Sequence, residues 1–153
     1  MTPYAKLVFL VVCAVLPLGG CTEADNHPGQ PVQHRVAAFK KMLQSMEQMG
    51  MVVRERQEFK AADFLEHAHE LKALAQEPWQ YFTPNSNYPP TRAKPDLWQH
   101  QTNFAEFRND LDESLAKLIA AAETGKMDMI APAYTSVEDS CEACHQRFRK
   151  TLQ

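Results

Sequence analysis

The sequence has little glycine and no excess of basic residues. Five of its 153 residues are glycine and ten are proline, which excludes a collagen-like chain and a chain made mainly of flexible linker. Sixteen lysines and arginines are outnumbered by 19 aspartates and glutamates, so the formal net charge is −3, and no run of basic residues occurs. We therefore expect no nucleic-acid partner, because nucleic-acid binding requires a strongly basic surface.

The sequence also lacks an apolar run long enough to span a membrane. The longest run extends only from Leu7 to Leu16, whereas a spanning helix needs about 20 residues. A run of this length is typical of a signal-peptide core, and it leads into Leu18-Gly19-Gly20-Cys21, which resembles a bacterial lipoprotein cleavage box. We predict a lipoprotein-type signal peptide over residues 1–20 and a lipid on Cys21. An ordinary secretory signal is the alternative.

Either kind of signal exports the protein. We expect it in the periplasm of a Gram-negative bacterium, anchored to a membrane through the lipid on Cys21. Residues 21–30 are polar and include Pro28 and Gly29, a composition that predicts a flexible tether. The folded domain is predicted to cover residues 31–153.

Cysteine is scarce as well, and its positions are informative. Of four cysteines, Cys13 leaves with the signal peptide and Cys21 is assigned to the lipid, so only Cys141 and Cys144 remain. Together with His145 they form Cys-x-x-Cys-His, the attachment motif of a c-type haem. Residues three apart lie on one face of a helix, so both sulfurs can reach one porphyrin while His145 serves as axial ligand of the iron.

Two other kinds of site also use a Cys-x-x-Cys pair. A thioredoxin-like redox site lies near the start of a helix in a strand–helix–strand unit, and no strand pattern is visible in this sequence. A structural zinc site needs four ligands, and no second Cys/His pair has suitable spacing. We therefore predict one covalently bound haem c.

Apolar residues recur at helical spacing through the rest of the chain. They predict four amphipathic helices, over residues 32–53, about 59–75, about 95–122 and 127–148. The fold class is therefore all-α, an antiparallel four-helix bundle with the haem near the end of its last helix. The connection 77–94 is long, and its aromatic residues are expected to pack back on the bundle; they are Trp79, Tyr81, Phe82 and Tyr88.

A four-helix bundle with Cys-x-x-Cys-His near the end of its last helix resembles the cytochrome c′ family, the class II c-type cytochromes. The similarity covers roughly residues 31 to 150. It is carried in combination by the stretches 33–42, 78–79, 93–98 and 141–149.

The resemblance implies roles for individual residues. Arg35 matches the family's first-helix arginine, which lies near a haem propionate, and Phe39 matches the distal position over the iron. Met42, one helical turn beyond Phe39, belongs to the same distal pocket. Arg149 matches a basic residue on the proximal side, beside the axial ligand His145.

Two functions are consistent with these expectations. In the first, the sixth iron position is open and high-spin, and the protein binds small gases, chiefly nitric oxide and weakly carbon monoxide, as the resemblance implies. In the second, Met42 or Met46 is the sixth ligand and the protein is a low-spin electron carrier. We favour the first because Phe39 at the distal position cannot ligate iron.

Other aspects of function are less defined by the sequence. No nucleophile–base pair or acidic dyad converges on the haem motif, so we do not expect an enzyme with a dedicated acid–base site. Electron transfer in the periplasm requires a redox partner, which the sequence does not identify. The resemblance also implies a homodimer that pairs through the first two helices.

Overall fold

The computed structural model describes residues 25–151, and its regular elements are helical. In chain order these are α1 Pro31–Val53, α2 Ala61–Leu74, a 3₁₀ turn at Pro78–Tyr81, α3 Asp96–Gln99, α4 Gln101–Glu123 and α5 Met127–Phe148. The four long helices pack as an antiparallel bundle, which confirms the predicted fold class. No helix in the described range is long and apolar enough to cross a bilayer. The predicted signal peptide and Cys21 lie outside the described residues.

The bundle closes around a central cluster of side chains from all four long helices. Its buried members include Met42, Met46 and Met49 of α1, Phe64 and Leu71 of α2, Leu111, Leu115 and Leu118 of α4, and Ile130, Tyr134 and Val137 of α5. These are the positions that the apolar spacing predicts. The Tyr134 hydroxyl donates a hydrogen bond to the Met46 carbonyl at 3.0 Å, so the polar end of this buried ring is satisfied inside the core.

One end of the bundle carries the haem motif. Because consecutive long helices run in opposite directions, the first residues of α1 and α4 meet the last residues of α2 and α5 there. Cys141, Cys144 and His145 lie in the last two turns of α5, and the connection between α2 and α3 covers the same end. We call this the haem-motif end. At the opposite end, α4 is followed by Gly125 with φ of 64°, a left-handed conformation that suits glycine.

The predicted third helix is two helices. The spacing predicts one helix over 95–122, but α3 ends at Gln99 and His100 has φ of −121° and ψ of 55°, outside the helical region. The Asp96 carboxylate contacts the His100 ring at 2.9 Å, and the Gln101 amide donates to the Leu97 carbonyl at 3.0 Å, so side chains satisfy groups around the break. Leu97 and Phe104 are both buried and seven residues apart, so the apolar pattern continues across the break and hides it.

The chain is fixed earlier than the predicted boundary at residue 31. Asp25 is 2% exposed, and its carboxylate accepts hydrogen bonds from the backbone N–H groups of Val32 at 3.0 Å and Gln33 at 3.3 Å. The Tyr88 hydroxyl donates to the same carboxylate at 3.1 Å. A carboxylate is stabilising here because the first N–H groups of a helix have no helical partner and carry partial positive charge. The folded domain therefore begins by Asp25, and residues 25–30 are not a free tether.

Candidate functional site

The two cysteines of the motif lie where two apolar clusters meet. Cys141 is half-buried against the central cluster, whereas Cys144 is half-buried against a second cluster. We call this second group the aromatic cluster; it comprises Leu97, Phe104 and Phe148 with Trp79, Phe82, Trp98 and Phe107 packed around them. Burial raises the pKa of both thiols to about 11, with a smaller contribution from Glu138 at Cys141 and from Cys141 at Cys144. Both thiols are therefore neutral at physiological pH.

His145 lies on the outer side of the last full turn of α5, next to Cys144. Desolvation is the main influence that lowers the pKa of its imidazole below the ordinary value, and the charges of Arg149 and Arg92 lower it further. The neutral imidazole therefore persists to lower pH than usual. This is the form that binds a metal, because a protonated ring nitrogen has no free electron pair.

Arg92 is a residue of this site that the sequence analysis missed. Residues 92–94 run antiparallel to the end of α5: the Lys94 N–H donates to the Phe148 carbonyl and the Lys150 N–H to the Arg92 carbonyl, each at 2.8 Å. The Arg92 guanidinium also donates to the Lys150 carbonyl at 2.8 Å. Arg92 and His145 are 53 residues apart in the chain, and this pairing brings them together. Nothing in the local sequence around Arg92 indicates it.

Arg35 is buried at the haem-motif end and is bonded to the connection between α2 and α3. Nη1 donates to the Tyr81 carbonyl at 3.1 Å and to the Ser86 hydroxyl at 2.8 Å. Nη2 donates to the Ser86 carbonyl at 2.7 Å and to the Thr91 hydroxyl at 2.5 Å. The guanidinium also lies 4.9 Å from the centre of the Phe82 ring. All four terminal N–H groups are therefore used, and only Nε–H is left for the predicted bond to a haem propionate.

The residues predicted for the distal pocket lie on α1 beside both clusters. Phe39 is half-buried and makes edge-on contacts with Trp79 and Phe82, with ring centres 5.8 and 6.3 Å apart. Met42 and Met46 lie one and two turns further along, 6% and 9% exposed, in the central cluster that Cys141 also contacts. Phe39, which would leave the sixth iron position open, therefore lies near the haem motif. Met42 and Met46, which could fill that position, lie near it as well.

These residues fit a covalently bound haem. Two neutral thiols on one helix face border two apolar clusters, which suits an apolar ring, and a neutral imidazole adjoins them. The Nε–H of Arg92 is buried and finds no acceptor among the residues that the structure describes. A buried donor without a partner is costly, and a carboxylate such as a haem propionate would satisfy it.

Comparison with known proteins agrees with this geometry. The family model described as Cytochrome C′ matches residues 30–149. A cytochrome c′ from Alcaligenes xylosoxydans xylosoxydans is 30% identical over 123 residues, which cover 80% of this chain and 95% of the relative. A cytochrome c′ from Halomonas halodenitrificans is 26% identical over 128 residues, 80% of this chain and 97% of the relative.

Solved structures of the Alcaligenes xylosoxidans protein share the fold. The nitric oxide complex of one variant superimposes with a TM-score of 0.78 at 29% identity, covering 83% of this chain and 98% of that one. A carbon monoxide-bound variant gives a TM-score of 0.77 at 29% identity, covering 82% and 98% of the two chains.

Proposed function

The chain belongs to the cytochrome c′ family, and on that premise we propose that it binds small gases at its haem iron, nitric oxide above all and carbon monoxide more weakly. Proteins of this family carry one covalently bound haem c, and so does this one. The nitric oxide and carbon monoxide complexes of similar structures support the choice of ligands. The observation that carries the proposal is that Cys141 and Cys144 border the two apolar clusters, with His145 beside Cys144 and Phe39 of α1 packed against the same central cluster as Cys141.

The residues of α5 hold the cofactor in this proposal. Cys141 and Cys144 would hold the haem through two thioether bonds, and His145 would ligate its iron. When bound, the haem would supply an iron able to take up a small gas. Desolvation, and after it the positive charges of Arg149 and Arg92, lower the pKa of His145, which favours the neutral imidazole that ligates a metal.

Phe39 selects among gases in this proposal. Its ring is bulky, apolar and held by Trp79 and Phe82, and it offers no hydrogen-bond donor. Dioxygen gains stability from a distal donor, so this pocket discriminates against it. The bulk of Phe39 would also hinder carbon monoxide, whereas nitric oxide, which binds ferrous haem more strongly, would tolerate it.

A second candidate function has its own support. Met42 and Met46 belong to the cluster that Cys141 contacts, and a thioether sulfur is a common sixth ligand in electron-carrying cytochromes. With either methionine as ligand, the protein would be a low-spin electron carrier. The two candidates differ in the spin state of the iron. In both, we propose a binding or electron-transfer role and no dedicated acid–base catalysis.

Phe39→Ala is expected to raise the carbon monoxide affinity. Displacing a packed ring costs about 1–3 kcal/mol, as overpacking does, so removing it corresponds to a roughly 5- to 150-fold gain. Equilibrium titration of the ferrous protein measures this. Leu43→Ala is the matched control, because Leu43 is 57% exposed one turn further along the same helix. A variant that stays high-spin without any gain in affinity would show that Phe39 is not the gate.

The proposal also covers localisation and assembly. We propose that the protein is periplasmic and held at a membrane by a lipid on Cys21. We also propose a homodimer through α1 and α2, in which the exposed apolar side chains Val36 and Leu43 of α1, 55% and 57% accessible, take part. Light scattering after gel filtration tests the dimer, and a monomeric mass at high concentration would remove it.

A further inference from the structure

Basic side chains are concentrated beside the haem motif, although the chain as a whole is acidic. The paired segments 92–94 and 147–150 carry five cations, namely Arg92, Lys94, Arg147, Arg149 and Lys150. We call these five residues the basic strip. Asp96 pairs with Arg147, Glu142 lies exposed one turn before Gln146, and Arg92 is the residue assigned above to a haem propionate, so Lys94, Arg149 and Lys150 carry the charge that acidic groups leave uncompensated. The rest of the chain must therefore be more acidic than the net charge of −3 suggests.

Asp25, the first residue that the structure describes, lies at the same end of the bundle. Asp25 is bonded to the first turn of α1 and to Tyr88, which lies four residues before Arg92. Only three residues separate Asp25 from Cys21, and a chain spans at most about 3.3–3.6 Å per residue. The chain length therefore limits the reach from Asp25, a buried residue at the haem-motif end, to a lipid on Cys21 to about 14 Å.

We propose that the basic strip binds an anionic lipid surface and thereby turns the haem-motif end toward the membrane. The inference rests on the lipid on Cys21 proposed above, which brings this end to the membrane first. Charges attract anionic headgroups strongly within about one Debye length, roughly 8–10 Å, and a link with a reach of about 14 Å holds the bundle near that range. A lipid surface is favoured over an acidic protein because the position of Asp25 fixes which end of the bundle the membrane meets.

Vesicle binding tests the charge attraction apart from the lipid anchor. The probe is the mature holo-protein with Cys21→Ser, mixed with vesicles containing about 30% phosphatidylglycerol or with pure phosphatidylcholine vesicles. We expect binding only to the anionic vesicles, and loss of binding in high salt. Adding Arg147→Gln and Lys150→Gln is expected to weaken the partition about 25-fold, because each cation near the surface contributes about fivefold.

The control variant removes the same charge from the other end of the bundle. Lys117→Gln with Lys126→Gln changes two exposed lysines on α4 and before α5. Lys117 lies 16 residues into α4 from Gln101, about 24 Å along the helix and well beyond the Debye length. We expect less than a twofold change. Equal partition of the two double variants would overturn the proposal and would favour an acidic protein as the partner of the strip.

Orientation on the membrane can be measured by lysine acetylation. In the native protein bound to anionic vesicles, we expect Lys150 to be protected and Lys126 to react as in solution. Equal reactivity of these lysines with and without vesicles would contradict the proposed orientation. The intact mass of the native protein tests separately whether Cys21 carries a lipid. If Cys21 were unmodified but vesicle binding still depended on the basic strip, the lipid anchor would be refuted and the binding of the strip to anionic lipid would stand.

Discussion

Replacing Cys141 and Cys144 together by alanine is expected to abolish covalent attachment of the haem. Each thiol supplies one thioether bond, so a single replacement leaves one bond and the double replacement leaves none. His145 remains in the double variant, but a single coordinate bond does not survive acid–acetone extraction. Mass spectrometry of the extracted protein measures the outcome directly.

The neighbouring serine provides the control for this experiment. The Ser140 hydroxyl donates to the Val137 carbonyl of its own helix at 2.9 Å, so Ser140→Ala is a change in the same turn of α5 that leaves both thiols in place. Its haem is expected to stay covalently bound. Retention of the haem mass in the double cysteine variant would contradict the attachment site.

Arg35→Ala is expected to destabilise the fold by about 1–3 kcal/mol, the cost of leaving a buried acceptor without its hydrogen-bond donor. The replacement leaves the Ser86 carbonyl without its donor, and the Tyr81 carbonyl and the Thr91 hydroxyl each keep one of two donors. Arg35→Lys is expected to recover only part of the loss, because one ammonium group cannot reproduce the planar fork that serves all three residues. Denaturant unfolding of the holo-protein measures both values.

Arg56→Ala is the matched control for the Arg35 variants. Arg56 is exposed in the connection after α1, at the opposite end of the bundle, and its replacement is expected to change the stability by no more than about 0.5 kcal/mol. If Arg35→Ala were as mild as Arg56→Ala, the hydrogen bonds of Arg35 to the connection would not stabilise the fold.

The sequence predicts well those features that depend on local periodicity. The stripe of Met42, Met46 and Met49 and its counterparts on the other helices are buried as expected, because helical spacing alone determines which side of a helix is apolar. The Cys-x-x-Cys-His motif is equally local. The break at His100 is not predictable in this way, because Leu97 and Phe104 keep the spacing of a continuous helix across it.

Other features depend on contacts between residues distant in the chain. Asp25 resembles a residue of a polar linker until Tyr88 and the first turn of α1 are placed around it. Arg92 reaches the site only through the pairing of its segment with the end of α5. Single-residue composition and spacing contain no signal for either contact.

Arg35 shows how a correctly selected residue can acquire an additional role. The sequence singles it out through its resemblance to a first-helix arginine near a haem propionate. The structure shows its terminal nitrogens bonded to the connection that continues to Arg92 and the end of α5. We infer that Arg35 stabilises the segment beside His145, whatever bond its Nε–H makes.

The electronic absorption spectrum of the ferric and ferrous holo-protein tests the open sixth position most directly. With the ring of Phe39, which cannot ligate iron, on the distal side, the iron is expected to be high-spin in both oxidation states. A sharp low-spin spectrum in both states would contradict this account and would identify Met42 or Met46 as the sixth ligand.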